Sequence, residues 1–180
     1  RSTTEMRLIA LPEFPLVEPG DDLAAIIQTS LARGSLFLED GDLLVIAQKV
    51  VSKAEDRYVY LNRVEVGERA AQLALEVDKD PRLVQVILDQ SNVVVAQRQG
   101  VLIVEHRLGY VHANAGIDQS NITSDEQNPR VLLLPENPDL SANALVRKLK
   151  TSPDQQLSVI INDSAGRAWR NGSAGFAIGT

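Results

Sequence analysis

No cysteine occurs among the 180 residues, which excludes disulfides, Cys-ligated zinc and iron–sulfur clusters together. Aromatic residues are scarce, with one tryptophan, three tyrosines and three phenylalanines; stacking platforms for single-stranded nucleic acid need more of them. Positive charge is also short. Eighteen Lys and Arg stand against 24 Asp and Glu, a net charge of −6, so no general attraction to nucleic acid is expected. Apolar runs such as residues 43–47 and 101–104 fall far below the roughly 20 residues that cross a bilayer, and no membrane association is expected. No charged leader followed by a long apolar stretch opens the chain, so no signal peptide is read and the cytoplasm is the expected compartment. Neither GxGxxG nor GxxxxGK[ST] occurs, which removes the Rossmann and Walker signatures as routes to nucleotide binding.

What is present describes an ordinary globular chain: 44% hydrophobic and 23% charged residues, read as one domain over residues 1–180. Asp21 or Asp22 caps a helix carrying Leu23, Ile26, Ile27 and Leu31. The turn Asp40-Gly41-Asp42 precedes a β-rich run, 43–51, expected to be a buried strand. Residues 66–77 have helical spacing, and Asp80-Pro81 supplies a cap and first-turn proline for a further helix to about Leu88. Residues 92–97 and 101–104 read as strands around Gln99-Gly100, and 109–113 as a continuation of that meander. Residues 123–130 read as a loop. Asn137-Pro138-Asp139 opens a helix carrying Leu140, Ala144, Leu145 and Leu149, and 157–161 is a short strand ending at a polar turn, 162–167. Strands adjacent in sequence argue against a regular doubly wound sheet. The expected class is α+β, with mixed sheets and packed helices.

Three polar segments could carry chemistry. In Gln48-Lys49-Val50-Val51-Ser52-Lys53, lysines four apart along a strand or its exit could meet phosphate as point charges; the plainer reading is a solvated strand end. In Asn114-Ala115-Gly116-Ile117-Asp118-Gln119-Ser120-Asn121, small residues let backbone approach a ligand. There Asp118 offers a hard oxygen for Mg²⁺ or Mn²⁺ and Asn121 suits a hydroxyl or base edge; the plainer reading is an Asx-rich turn. In Asn162-Asp163-Ser164-Ala165-Gly166-Arg167, followed by Trp169 and Arg170, a carboxylate beside a hydroxyl is a plausible metal-binding unit, and the arginines could hold an anion; the alternative is a capped turn. His106 and His112 read as exposed or structurally bonded residues rather than ligands. Spacing alone therefore reaches a metal and phosphate site built on Asp118 and Asp163.

Taken in order, these segments resemble the coenzyme F-420-0:L-glutamate ligase (gamma-glutamyl ligase) family. The landmarks are Pro15-Leu16-Val17 with Pro19-Gly20-Asp21-Asp22-Leu23, Asp40-Gly41-Asp42, Gln48-Lys49-Val50-Val51-Ser52-Lys53-Ala54-Glu55, the NAGIDxSN segment from Asn114 to Asn121, Leu132-Leu133-Leu134-Pro135, Asp163-Ser164-Ala165-Gly166-Arg167 and Gly175-Phe176-Ala177-Ile178-Gly179. The likeness covers almost the whole chain. It implies a family-specific α+β fold in an intertwined homodimer, metal ligation by Asp118, Asp163 and Ser164, and guanine-nucleotide contacts from Phe14, Pro15, Leu16, Val17, Gln48, Lys49, Lys53 and Asn121. No catalytic residue is assigned. Mg²⁺ or Mn²⁺, with K⁺ as a further cation, and GTP as co-substrate come with the resemblance. Ser164 stands where many relatives have Thr. Relatives also continue past the GFAIG segment, so this chain is expected to lack their C-terminal portion and to turn over poorly.

The implied reaction joins a carboxylate of coenzyme F-420-0 to the amine of L-glutamate through an acyl phosphate made with GTP. Two other classes share the same acids: a metal-dependent phosphohydrolase, and a non-catalytic nucleotide-binding or dimerisation fragment.

Overall fold

The computed structural model describes residues 5–119, 127–166 and 171–180. Three of its helices begin where a side chain satisfies a free amide of the first turn. Asp22 accepts from the amides of Ala24 and Ala25 at the start of α1 (Leu23–Arg33). Asp80 caps α4 (Pro81–Asp89) with Pro81 in its first turn, and Asn137 accepts from Leu140 at the start of α5 (Pro138–Leu149). Between them lie β1 (Leu43–Ala47), α2 (Gln48–Ala54), β2 (Tyr58–Tyr60) and α3 (Glu68–Val77). Next come β3 (Ser91–Arg98), β4 (Val101–His106), β5 (Val111–Ala113) and β6 (Arg130–Leu132), and after α5 come β7 (Ser158–Gly166) and β8 (Ser173–Gly179).

Among the described residues three sheets result, with strand orders β1-β7-β8, β2-β6 and β3-β4-β5. In the first, β1 runs parallel to β7 and β8 antiparallel to it; the other two are antiparallel. The arrangement is α+β with mixed sheets, as expected. Two apolar clusters hold it. One gathers Ile27, Leu31, Ile46, Val51, Leu145, Leu149, Val159, Ile161 and Ile178 between α1, α2, α5 and the first sheet. The other gathers Leu73, Val77, Val84, Ile87, Leu102, Val104 and Val131 between α3, α4 and the β3-β4-β5 sheet. Each such side chain stabilises the fold by about 1.5–3 kcal/mol through burial. Leu133 belongs to the second cluster and Leu134 to the first, so the chain leaving β6 runs along the seam. Among the described residues no helix is long and apolar enough to cross a membrane.

Several local expectations are corrected. The strand expected over 43–51 stops at Ala47, and Gln48 opens a helix. The buried residues there are Gln48, Val51 and Ser52, the i, i+3, i+4 spacing of a helix face, so packing overrides the β preference of Val50 and Val51. The turn expected over 162–167 is strand through Gly166, because β8 pairs with it from Asn162 to Gly166. Arg130, assigned to a loop, opens β6. The helix expected from 66 starts at Glu68. Leu140, counted on the apolar face of α5, is exposed.

Candidate functional site

Asp118 is fixed by its own backbone. Its amide donates to the Leu132 carbonyl and its carbonyl accepts from the Leu132 amide, both at 2.9 Å, so the residue is stitched to β6 beside the seam. The chain reaches it through a left-handed turn, with Asn114 at φ 52°, Ala115 at 55° and Gly116 at 67°. Two of these are not glycine, a conformation that costs each of them on the order of 1 kcal/mol. The turn persists because Ala115 is fully buried and because Gly116 lies against Leu134, whose side-chain carbons would stand 3.1 Å from an added Cβ. The Asn114 Oδ1 is buried without a hydrogen-bond partner among the described residues.

The Asp118 carboxylate meets Lys49, whose Nζ lies 2.6 Å from Oδ2, with both side chains largely covered at 25% and 17% exposure. Helix α2 delivers Lys49 from its first turn, and Lys53 follows one turn later on the same side, half-buried. Gln48 points inward, buried, with its Oε1 accepting the Ser52 hydroxyl at 2.9 Å.

Asp163 comes from the other side of the seam. It sits on β7 opposite Phe176 of β8, on the face that also carries Val159 and Ile161 toward the first core. Its Oδ1 accepts the Ser164 amide at 2.8 Å. Burial pushes its pKa up, the Ser164 bond and His112 oppose the rise, and the charge of Asp118 adds to it. The two carboxylates thus lie close enough to feel each other. Ser164 follows in a regular stretch of the ladder, so its side chain leaves the opposite face and is exposed.

His112, set aside on sequence grounds, is in this site. It is 4% exposed, and its Nδ1 lies 3.9 Å from Asp163 Oδ2. Burial lowers its pKa, with Asp163 opposing. The usable sequence signal was the alternation of β5, which leaves Val111 exposed and turns His112 inward. His106 is buried and structurally bonded, its Nδ1 accepting the Leu108 amide at 3.0 Å.

The structure therefore pairs Lys49 with Asp118 and His112 with Asp163, and sets the two acids within electrostatic reach of each other. Phe14 packs half-buried on the first core, Val17 lies within it, and Pro15 and Leu16 are exposed beside it. Asn121, Ser120, Arg167, Trp169 and Arg170 lie outside the described residues. Among the described residues no three His, Cys, Asp or Glu side chains converge as a complete metal cage. Two largely covered carboxylates, the charge of one raising the pKa of the other, suit the other mode of binding. In that mode a hard divalent ion takes one or two carboxylates and fills its shell with water and substrate phosphate.

A family model described as F420-0:Gamma-glutamyl ligase matches residues 12–180. The chain is 40% identical to the coenzyme F420:L-glutamate ligase of Methanothermobacter thermautotrophicus, covering 96% of this chain and 67% of that protein. It is 42% identical to the protein of the same name from Methanopyrus kandleri, covering 97% and 66%. With that of Methanococcus maripaludis it shares 40% identity over 99% and 68%. The chain spans about two thirds of the length of these curated relatives.

Proposed function

Because the chain belongs to the F420-0:gamma-glutamyl ligase family, we propose that it carries the nucleotide and metal site of a ligase adding L-glutamate to coenzyme F-420-0 at the expense of GTP. The observation that carries this reading is the Lys49–Asp118 pair beside the seam, with Asp163 near enough for the charge of Asp118 to raise its pKa. A carboxylate is a poor electrophile until a phosphoryl group is attached to it. In this reading an oxygen of the F-420-0 carboxylate attacks the γ-phosphorus of GTP and GDP leaves. The glutamate amine then attacks the acyl carbon, phosphate departs with the carboxylate oxygen, and the nitrogen loses a proton.

Asp118 and Asp163 would hold Mg²⁺ or Mn²⁺, which when bound supplies neutralisation of phosphate oxygens. Lys49 and Lys53 present two ammonium groups along one side of α2, where phosphate charge has to be met. The half-buried Phe14 and the exposed Pro15 and Leu16 offer an apolar edge for the guanine. Gln48 would contact nucleotide only through what its engaged, buried amide leaves over. Ser164, on the other face of β7, is assigned with Asn121 and K⁺ on family resemblance alone. A homodimer belongs to the same proposal, and the exposed Leu43 and Val45 of β1 supply apolar surface for one.

The test is phosphate release from GTP, with and without F-420-0 and L-glutamate, alongside detection of the glutamylated product by mass spectrometry. Release that requires both acceptors, and that is abolished in Asp118→Asn and Asp163→Asn, supports the ligase. Release indifferent to glutamate assigns the same acids to a phosphohydrolase, and GTP binding without turnover assigns a binding fragment.

A further inference from the structure

His112 occupies a position that packing alone does not explain. Its ring meets the edge of Tyr110 at 6.1 Å and tilts on Phe176 at 5.1 Å. Phe176 is the cross-strand partner of Asp163, so the imidazole spans that pair, its face on the phenyl ring and its Nδ1 toward the carboxylate. Its Nε2 is buried with no hydrogen-bond partner among the described residues. Such an atom destabilises the fold, and a phenyl ring would fill the same space without it. The separation of 3.9 Å from Asp163 Oδ2 exceeds a hydrogen bond. The terminal torsion of an aspartate is soft, however, and a modest rotation closes such a gap.

We propose that His112 is a positioning residue for Asp163, its Nδ1–H facing Oδ2 across the Phe176 ring and setting the direction in which the carboxylate is presented to a divalent cation. This rests on the reading of Asp163 as a metal-holding residue. The neighbourhood is built for it. His106 lies diagonally from His112 on the inward face of the β4–β5 pair, and its Nδ1 accepts the Leu108 amide, which places its own proton on Nε2. The Nε2 of His112 has no acceptor among the described residues, so the tautomer with Nδ1 protonated is the one that points its proton at a carboxylate. Outer groups of this kind commonly shift metal affinity by about 10–100-fold.

The experiment is Mn²⁺ titration of the whole chain, followed by electron paramagnetic resonance of free ion, with thermal melts of each metal-free variant. His112→Phe keeps the ring contacts and removes both nitrogens. It is expected to melt no lower than the wild type while binding Mn²⁺ about 10-fold more weakly or worse. His112→Asn, whose amide can donate from near the position of Nδ1, is expected to recover most of that affinity. Wild-type affinity in His112→Phe would overturn the proposal even if Asp163→Asn abolishes binding. Failure of the wild type to bind Mn²⁺ would overturn the reading of Asp163, and the proposal with it. Should His112→Phe not fold, His112→Gln places its donor one methylene further out, and equal affinity in the Gln and Asn variants would be the overturning result.

Discussion

The two carboxylates of the site are held in opposite ways. Asp118 hangs from a backbone under strain, three consecutive residues in the left-handed region, while its charge is answered by Lys49 at 2.6 Å. Asp163 sits on a relaxed strand ladder, yet its charge is buried and pushed toward the neutral form. One region stores free energy in torsion angles and the other in electrostatics. A bound cation would relieve the second store and leave the first untouched. The strained turn is therefore a fixed support, and Asp163 is the carboxylate whose cost of ionisation a bound cation would lower.

The largest effect should come from breaking the support. Gly116→Val forces a β-branched residue to φ 67° and drives its Cβ against Leu134, costing about 3 kcal/mol. At this chain length that is a fall in Tm of roughly 6–12 °C. On the other side, Gly166 does not have positive φ, and no described residue lies within 4 Å of an added Cβ. Gly166→Ala should stay within about 0.5 kcal/mol. Equal melting temperatures for the two variants would remove the contrast between strained and relaxed supports.

Acid separates the regions by sign. Burial holds His106 neutral down to about 4, with Arg107, His112 and Arg57 contributing. The unfolded chain takes up that proton near the ordinary 6.5. Stability from this group is therefore complete above pH 6.5 and is lost as pH falls toward 4, on the order of 3 kcal/mol in all. Asp163 runs the other way. Its raised pKa makes the ionised form the costly one, so its contribution improves as pH falls toward the ordinary carboxylate value. Urea midpoints between pH 7.5 and 4 should decline in the wild type and decline less in His106→Asn. Without divalent ion at pH 7, Asp163→Asn should be at least as stable as the wild type. A less stable Asn variant would contradict the electrostatic account of this residue.

Much of the frame was legible because its signals are local. Asp22, Asp80-Pro81 and Asn137-Pro138 announce helix starts through chemistry completed within three residues. Helix α2 was not legible, since Val50 and Val51 favour strand and only the packing of Val51 into the first core reverses that. The strand through Asp163 was hidden for a related reason: its polar end is made strand by β8, which no neighbouring residue predicts. The acids themselves were readable as oxygen donors beside small residues. Their surroundings were not, because Lys49 reaches Asp118 from α2 and His112 reaches Asp163 from another sheet.

Removing the cation that serves Asp118 should have a moderate effect. Lys49→Met keeps the stem that packs on the site and deletes the charge. Both partners are largely covered, so the cost should exceed that of a surface pair and fall short of a fully buried one, about 1–2 kcal/mol. A double-mutant cycle with Asp118→Asn measures the pairwise share. Coupling near zero would show that Asp118 is neutralised by something other than Lys49, and the comparison between the two acids would lose one side.

The smallest stability effect is expected at Lys53, and there the interest lies in what else changes. Lys53 stands in the last turn of α2, where its charge favours the helix dipole. Alanine forfeits that small gain but is the better helix former. The two nearly cancel, so Lys53→Ala should alter stability less than Lys49→Met does. Its position one turn beyond Lys49 nevertheless places its ammonium along the same side of the helix. If that side receives the nucleotide phosphates, Lys53→Ala should weaken GTP binding in the presence of Mg²⁺ while the melting curve hardly moves. Calorimetric titration of the metal–nucleotide complex decides it. An unchanged affinity would show that Lys53 does not meet the nucleotide phosphates.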